Sequence, residues 1–507
     1  MTNEVKVGKY TLESLTTGMY NDPRITYREY IQNSVDSLEE AIRLGVIKHD
    51  QMNITILVDE ENRSIRITDN GCGISCRESY SVLTNIGSST KRHFMNRGFR
   101  GIGRLGGLSY CDKLRFITSA QGESTKTILE YDCKKLRQLL IPGQYENYDL
   151  VQVISEVTSF EQIEEENDKH YFTVEMQEVN LLCGILDVDS MKGYLRQISP
   201  IPYKKRFIWA SEIKRMLKER EIELGEFPIY IGKDEEHLEQ LFKPNNDKFH
   251  ANVRENRQDE ISRIEKIEVI KEGKLLAIGW YGKCSLYGQI IEKEIAGIRA
   301  RKGNILIGDD RLFNDIFKEA RFNGYVQGEL FIVSDGLIPN ARRDDFEQNE
   351  EYAYLLEKLS EGIGQTISID IRDSSKNRNS PLEKKIIQAK NKVEETKKVE
   401  VEGFNSGVEK KIYLKELEDL KRDVYKQPVR TEADKEKKEK ILQTLNDAVE
   451  QVSESSNYKV NKLGNLSNKE KKILKIVTDV LSSYLQKSLL DDVMDEIEKK
   501  LKDRGHS

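Results

Sequence analysis

The chain has 507 residues, enough for about three domains at roughly 100–200 residues each. Charged residues make up 33% and hydrophobic ones 37%, and no apolar run reaches the roughly 18 residues of a membrane helix, which excludes an integral membrane protein. Six cysteines are too sparse for a disulfide-built scaffold, and nine prolines with 33 glycines exclude a collagen-like or proline-rich chain. The first ten residues carry no apolar stretch, so the expectation is a cytoplasmic protein without a leader. The net charge of −6 is segregated: residues 374–507 hold 30 Lys/Arg against 25 Asp/Glu, which leaves −11 on the first 373.

In chain order, residues 1–185 mix helical and strand patterns. Ile25–Leu44 reads as a helix, and Asn53–Val58 and Ser64–Thr68 as strands around a turn. Leu114–Thr118, Lys126–Tyr131, Leu150–Ile154 and Tyr171–Met176 read as further strands. The expected fold is α+β, an α/β sandwich of mostly antiparallel strands under a few helices. Residues 190–372 read as a second α/β unit, with strands at Ile267–Ile270, Leu275–Tyr281, Ala296–Ala300, Asn304–Ile307 and Gly328–Val333. Residues 373–382 read as a polar linker containing Pro381. Residues 383–507 read as all-helical and charged. Leu414, Leu417, Leu420 and Val424 share one helical face, as do Ile441, Leu445, Ala448 and Val452. The longest stripe runs from Ile473 through Val477, Val480, Leu485 and Leu489 to Leu501.

Four motifs carry chemistry. On the first long helix, Glu29, Asn33 and Asp36 stand at i, i+4 and i+7, so they share one face. That face is either a solvated acidic stripe or a polar patch with a task. After the second strand comes Asp69-Asn-Gly71-Cys-Gly73, either a plain β-turn or a turn whose glycines admit a ligand close to the backbone. Gly98, Gly101, Ile102, Gly103, Gly106 and Gly107 lie in a glycine-rich stretch that opens a helical segment, where backbone N–H groups favour phosphate. It lacks the Gly-Lys-Ser/Thr of a Walker A loop. Just upstream, Asn85, Ser88, Ser89, Thr90 and Lys91 form a hydroxyl-rich basic stretch, a surface loop or a lid over an anion. The cysteines and the six scattered histidines offer no zinc site and no triad.

In this order the motifs resemble those of the GHKL ATPase superfamily, most of all its Hsp90-like branch. The E-x-x-x-N-x-x-D box falls on Glu29, Asn33 and Asp36, the D-x-G-x-G box on Asp69, Gly71 and Gly73, and the G-x-x-G-x-G box on Gly98, Gly101 and Gly103. The resemblance covers about residues 10–180. It implies that Glu29 orients and deprotonates the attacking water and that Asn33 ligates Mg²⁺. It implies that Asp69 binds the adenine amine and Asp36 supports the base or ribose side. The glycines would cradle phosphates, with Lys91 neutralising charge. A threonine on the closing strand fits best at Thr173, with Thr125 next, although Phe172 stands where the family has glycine. The resemblance also implies a transducer-like second domain that lends a cation to the γ-phosphate, and the basic hairpin 299–304 offers Arg301 or Lys302. The segment Ile338–Asp345 offers a second interdomain contact or internal Arg/Asp pairs.

The expectation is therefore a slow, Mg²⁺-dependent ATPase. It would couple ATP binding, lid closure and hydrolysis to conformational change in a protein assembly, with a homodimer or protein partner held by the C-terminal helices and no membrane. A DNA-associated clamp of the MutL, MORC or topoisomerase VI-B type is the alternative, disfavoured by overall acidity and by the interleaved Lys and Glu of the tail. A histidine kinase would place the ATPase domain last rather than first. A nucleotide-gated adaptor with little turnover would carry the same pocket.

Overall fold

The computed structural model describes residues 7–15, 22–86, 103–378, 381–404, 407–429 and 432–455, together with 476, 477 and 480. The chain forms two compact units, residues 1–374 and 375–507.

The first unit opens with α1 (Tyr10–Leu15) and α2 (Ile25–Arg43). In α2 the apolar residues Tyr27, Tyr30, Ile31, Val35, Leu38 and Ala41 are all buried. Burying a large apolar side chain is worth about 1.5–3 kcal/mol, so this face anchors the helix. Gly45, at φ 73, ends it: Gly45 and Val46 N–H donate to the Ile42 and Ala41 carbonyls at 3.0 and 2.8 Å.

Beneath α2 lies an eight-stranded sheet built from β1 (Ile54–Asp59), β2 (Ser64–Asp69), β3 (Lys113–Ser119), β4 (Thr125–Asp132), β5 (Thr158–Glu164), β6 (Tyr171–Gln177), β7 (Ile229–Gly232) and β8 (Glu239–Gln240). Its order is β5-β4-β3-β6-β2-β1-β7-β8. Strand alternation sends Ile54, Ile56 and Val58 of β1, and Ile65 and Ile67 of β2, into the core. The next residue in the inward row of β2 is Asp69.

Around this sheet stand α3 (Cys76–Thr84), α4 (Cys133–Leu139), α5 (Leu150–Val157) and α6 (Val188–Ile198). The strand expected at Leu150–Ile154 is α5. Asp149 accepts from Gln152 N–H at 2.9 Å and Gln152 Oε1 accepts from Asp149 N–H at 3.0 Å. This capping box, with Val153, Ile154 and Val157 buried on one face, outweighs the β-branched composition.

A second change concerns the boundary placed at 185–190. Strand β7, from well inside the expected second domain, pairs parallel with β1, Ile54 opposite Ile229 and Ile56 opposite Ile231. The first hydrophobic core accordingly runs on through Leu195, Ile201, Ile229 and Leu241.

Beyond α7 (Ala210–Lys218), β9 (Lys248–Ala251) and β10 (Arg257–Glu260) form a two-stranded ribbon. Strands β11 (Arg263–Lys271), β12 (Lys274–Lys283), β13 (Gly297–Lys302), β14 (Ile305–Ile307) and β15 (Gln327–Ile332) form a sheet of order β11-β12-β15-β13-β14. All six residues of the central β15 are buried, because both faces of the sheet are covered. The chain continues through α8 (Glu350–Leu359) into α9 (Gln365–Arg378), which crosses the boundary at residue 374. The stretch expected as a linker from 373 is thus helical to Arg378.

In the second unit, α10 (Pro381–Glu402), α11 (Gly407–Tyr425) and α12 (Glu432–Glu454) pack as a three-helix bundle. Its core joins Ile386, Ala389 and Val393 to Leu417 and Val424 and to Ile441, Leu445, Ala448 and Val452. The two stripes read on α11 and α12 are therefore spent on each other. The stripe from Ile473 to Leu501 lies outside the described residues, apart from Val477 and Val480.

Candidate functional site

Helix α2 carries Glu29, Asn33 and Asp36 on one face, and that face is not a solvated stripe. Glu29 is 8% exposed and Asp36 3%, with Asn33 half-buried. Carboxylates are this deeply buried only when something compensates their charge.

Asp69 ends the inward apolar row of β2 at 1% exposure. Its Oδ1 accepts from Gly71 N–H at 3.0 Å, which folds the turn back on the strand. The turn can pack only as glycine. A Cβ on Gly71 would lie 2.1 Å from Ser37 Oγ of α2, and one on Gly73, at φ 64, would lie 1.9 Å from the Ser119 carbonyl. His170 Nδ1 donates to the Gly71 carbonyl at 2.9 Å, and Ile74 N–H to Thr118 Oγ1 at 2.7 Å. The Cys72 thiol is pushed up to about 11, first by burial and then by the Glu40 and Asp69 carboxylates, so it stays protonated at neutral pH.

The described end of the glycine-rich stretch is a 3₁₀ helix, Gly103–Ser109, laid along α2. A Cβ on Gly103 would sit 1.9 Å from Glu29 Oε2, so the backbone here runs directly against that carboxylate. The Arg104 guanidinium donates to the Asn85 carbonyl, at the C-terminal end of α3. Ser88, Ser89, Thr90, Lys91, Gly98, Gly101 and Ile102 lie outside the described residues.

Among the described residues, a cation meets Glu29 from the segment 338–345 rather than from the basic hairpin. Arg343 Nε stands 3.5 Å from Glu29 Oε1, with the two side chains only 14% and 10% exposed. Arg343 sits at φ 56, an uncommon conformation for a residue with a Cβ. Its carbonyl holds it there by accepting Gly308 N–H at 2.8 Å and Arg28 Nη1 of α2 at 3.4 Å. Asn340 braces the same turn: its Nδ2 donates to Asp344 Oδ1 at 2.6 Å and its carbonyl accepts Arg343 N–H at 3.1 Å.

The expectation for Arg301 and Lys302 is corrected accordingly. Arg301 is 1% exposed. It pairs with Glu329 and donates to the Gln197 and Asn304 carbonyls at 3.0 and 3.1 Å. Lys302 Nζ donates to the Ser334 and Leu337 carbonyls at 2.9 and 2.8 Å. Both cations are committed to partners in their own sheet and in the segments packed against it. Around Glu329 the cluster is fully engaged: Lys243 Nζ donates to both its oxygens at 3.1 Å, and Tyr203 donates its phenol proton. Burial and the Arg301 charge push Lys243 down to about 7. Against the penalty of burial, Arg301 and Lys243 hold Glu329 at about 2.

The threonine expectation is corrected by register. Thr173 pairs with Thr68, their hydroxyls 3.0 Å apart, whereas Asp69 pairs with Phe172. Neighbours along a strand point to opposite faces, so Thr173 faces away from the Asp69 side. The inward row crossing the sheet from Asp69 is Phe172, Thr118 and Thr127. Thr125, the second choice, contacts Cys76 Sγ at 3.1 Å.

Three contributors escaped sequence reading: Arg343, the Arg28 bond behind it and the Tyr30 phenol described below. Arg343 belongs to a segment singled out as an interdomain contact, but nothing in the sequence distinguishes it from Arg342, which is exposed beside Asp344.

Comparison with known proteins places this geometry. Residues 24–167 match the family of histidine kinase-, DNA gyrase B- and HSP90-like ATPases. The chaperone protein HtpG of Acinetobacter baylyi is 29% identical over 122 residues, covering 20% of this chain and 19% of that protein. HtpG of Chlorobaculum tepidum is 37% identical over 93 residues, 17% and 15% respectively. HtpG of Azorhizobium caulinodans is 28% identical over 152 residues, 26% and 24%. The matches thus span a quarter or less of each relative's length. Among the described residues, no helix is long and apolar enough to cross a membrane. With the acidic helix face, the Asp69 turn and the glycine-rich segment converging as they do, residues 24–167 are similar to the histidine kinase-, DNA gyrase B- and HSP90-like ATPase family, and stretches of the chain are similar to HtpG chaperones.

Proposed function

We propose that the first unit binds Mg-ATP and hydrolyses it slowly, and that the cycle drives conformational change in a protein assembly, chaperone-like or effector-regulating. One observation carries the reading: at Glu29, a buried carboxylate, the backbone of Gly103 and the guanidinium of Arg343 meet at a single point. Phosphoryl transfer to water asks for a base, a phosphate cradle and a cation, with little covalent chemistry beyond that.

In this reading Glu29 orients and deprotonates the water, and Asp69 accepts the exocyclic amine of adenine. Asp36 lines the base or ribose side. Backbone N–H groups of the 98–107 segment bind phosphate, with Lys91 adding charge as the 85–91 stretch closes. Asn33 offers Mg²⁺ a hard amide oxygen, which suits a cation held mostly by phosphate and water. When bound, that cation neutralises charge on the triphosphate. Arg343 takes the role first assigned to Arg301 or Lys302 and reaches the γ-phosphate. The relatives named as chaperones support a protein client, and the C-terminal helices, above all the stretch from Ile473 to Leu501, would hold a second copy or a protein partner.

Calorimetric titration of the full chain with Mg-ATP, paired with phosphate release, tests this. Binding at micromolar to millimolar ATP with slow turnover is expected. Absence of binding at several millimolar ATP overturns the reading.

A further inference from the structure

Glu29 and the glycine-rich segment are brought together by the residue next to Glu29. Tyr30 is 2% exposed on α2, and its phenol reaches the Gly103–Ser109 helix. The phenol oxygen accepts from Gly107 N–H at 2.9 Å and donates to the Arg104 carbonyl at 3.2 Å. One hydroxyl thus uses both its capacities on one turn of backbone. The fit requires glycine: a Cβ on Gly107 would lie 2.5 Å from the phenol oxygen and 3.0 Å from Leu114 Cδ1. The short helix is therefore bonded to α2 at Gly107 and Arg104 by Tyr30 and packed close against Glu29 at Gly103, with Gly106 in ordinary contact with Thr26 between them.

We propose that Tyr30 is a positioning residue for the phosphate-binding backbone, fixing the 103–109 segment in register with Glu29 on the same helix. The proposal rests on the ATP-binding reading above and adds to it a division of labour. Asp69 and its turn serve the base, while Tyr30 serves only the phosphate side. Loss of the phenol oxygen should weaken ligands that carry phosphate and leave a bare nucleoside untouched. A side chain needed merely for packing would weaken both.

The test is Tyr30→Phe in the full chain, titrated with adenosine, ADP and Mg-ATP. Leaving the buried Gly107 N–H unsatisfied should cost about tenfold in ADP affinity. Single-turnover hydrolysis at saturating Mg-ATP should slow by a similar factor. Adenosine affinity should stay within twofold of the parent, and the thermal midpoint within a few degrees. Gly107→Ala supplies a second arm. Its loss of ADP affinity should shrink when combined with Tyr30→Phe, because the phenol oxygen that the methyl strikes is gone. Unchanged ADP affinity, a parallel loss of adenosine, or an unfolded Tyr30→Phe chain each overturns the proposal. If the parent chain binds none of the three ligands, the ATP reading fails instead. Amide exchange over 103–109 then judges the clamp alone: a rise of tenfold or more in Tyr30→Phe sustains it, and equal exchange removes it.

Discussion

Arg343 and Glu29 face each other 3.5 Å apart across some three hundred residues of chain, and the backbone of Arg343 is held at φ 56 to make the approach. The Arg28 guanidinium, next to Glu29 on α2, donates to the Arg343 carbonyl at 3.4 Å. The same helix thus supplies both the carboxylate that the cation meets and part of the support for its strained turn. Such backbone strain persists only where surrounding structure over-determines it.

Replacing the cation should separate binding from turnover. Arg343→Ala is expected to slow hydrolysis at saturating ATP by about 100-fold, the usual cost of removing a charge-stabilising donor. ATP affinity should change by less than about threefold. A parallel loss of affinity and rate would make Arg343 a general binding contact. Arg301→Ala should instead lower stability, since it leaves Glu329 with Lys243 alone in a buried setting.

Glu29→Ala removes the carboxylate against which Gly103 packs. Mg-ATP binding should persist while single-turnover hydrolysis falls by about 100-fold or more, as expected when a general base is lost. The variant should accumulate with ATP bound, and a pull-down in that state would show whether a protein or a nucleic acid accompanies it. Retained turnover removes Glu29 from the base role.

Asp69→Asn keeps an oxygen for Gly71 N–H and so should preserve the turn. It exchanges a charged acceptor for a neutral amide that presents a donor to adenine. Hydrogen bonds to charged groups are worth about 1.5–3 kcal/mol, so affinity for both adenosine and ATP should fall by about 10–100-fold. Circular dichroism should be unchanged. Equal affinity for the parent and the variant removes Asp69 from the base pocket.

The charge cluster of the second sheet predicts a pH dependence. Glu329 is held at about 2 by Arg301 and Lys243, below the ordinary glutamate value of 4.5. Its contribution to stability is therefore complete above about 4.5 and is lost as pH falls toward 2, because the unfolded chain takes up the proton first. Glu329→Gln leaves the buried Arg301 facing a neutral amide and lets Lys243, already held at about 7, give up its proton, and it should cost about 3–5 kcal/mol. Lys243→Met leaves a one-to-one pair of Arg301 with Glu329 and should cost much less. Urea titrations at pH 7 and pH 4 measure both effects, and equal costs for the two variants would contradict the description of the cluster.

Much of residues 10–180 was legible because the motifs there are local. Glu29, Asn33 and Asp36 lie within two turns of helix, and Asp69, Gly71 and Gly73 within one turn of chain, so spacing alone places each group on a common face. What stayed hidden depends on distant partners. Thr173 stands one step off the row that holds Asp69, because strand parity is set by the pairing with β2 and a single step reverses the face. Arg301 looked available because a basic hairpin reads as exposed, whereas Glu329 of the neighbouring β15 draws it inward. Arg343 and Arg342 are neighbours of one type, and only the left-handed turn decides which of them meets Glu29. The helix α5 is announced by its Asp149–Gln152 capping box, a local signal that outweighs the β-branched Val151, Val153 and Ile154.

The parallel pairing of β7 with β1 sets how this protein can be cut. A fragment ending near residue 185 retains every nucleotide motif yet strips β1 of its neighbour. Ile54–Leu57 would then offer an unpaired backbone edge to other copies. Such a fragment should aggregate, whereas one extended to about residue 241, which restores β7, β8 and Leu241, should stay monodisperse. The chain that returns to close this edge also leads onward to the strands beside Arg343. Completing the first sheet and carrying Arg343 to Glu29 are thus two services of one continuous stretch of polypeptide.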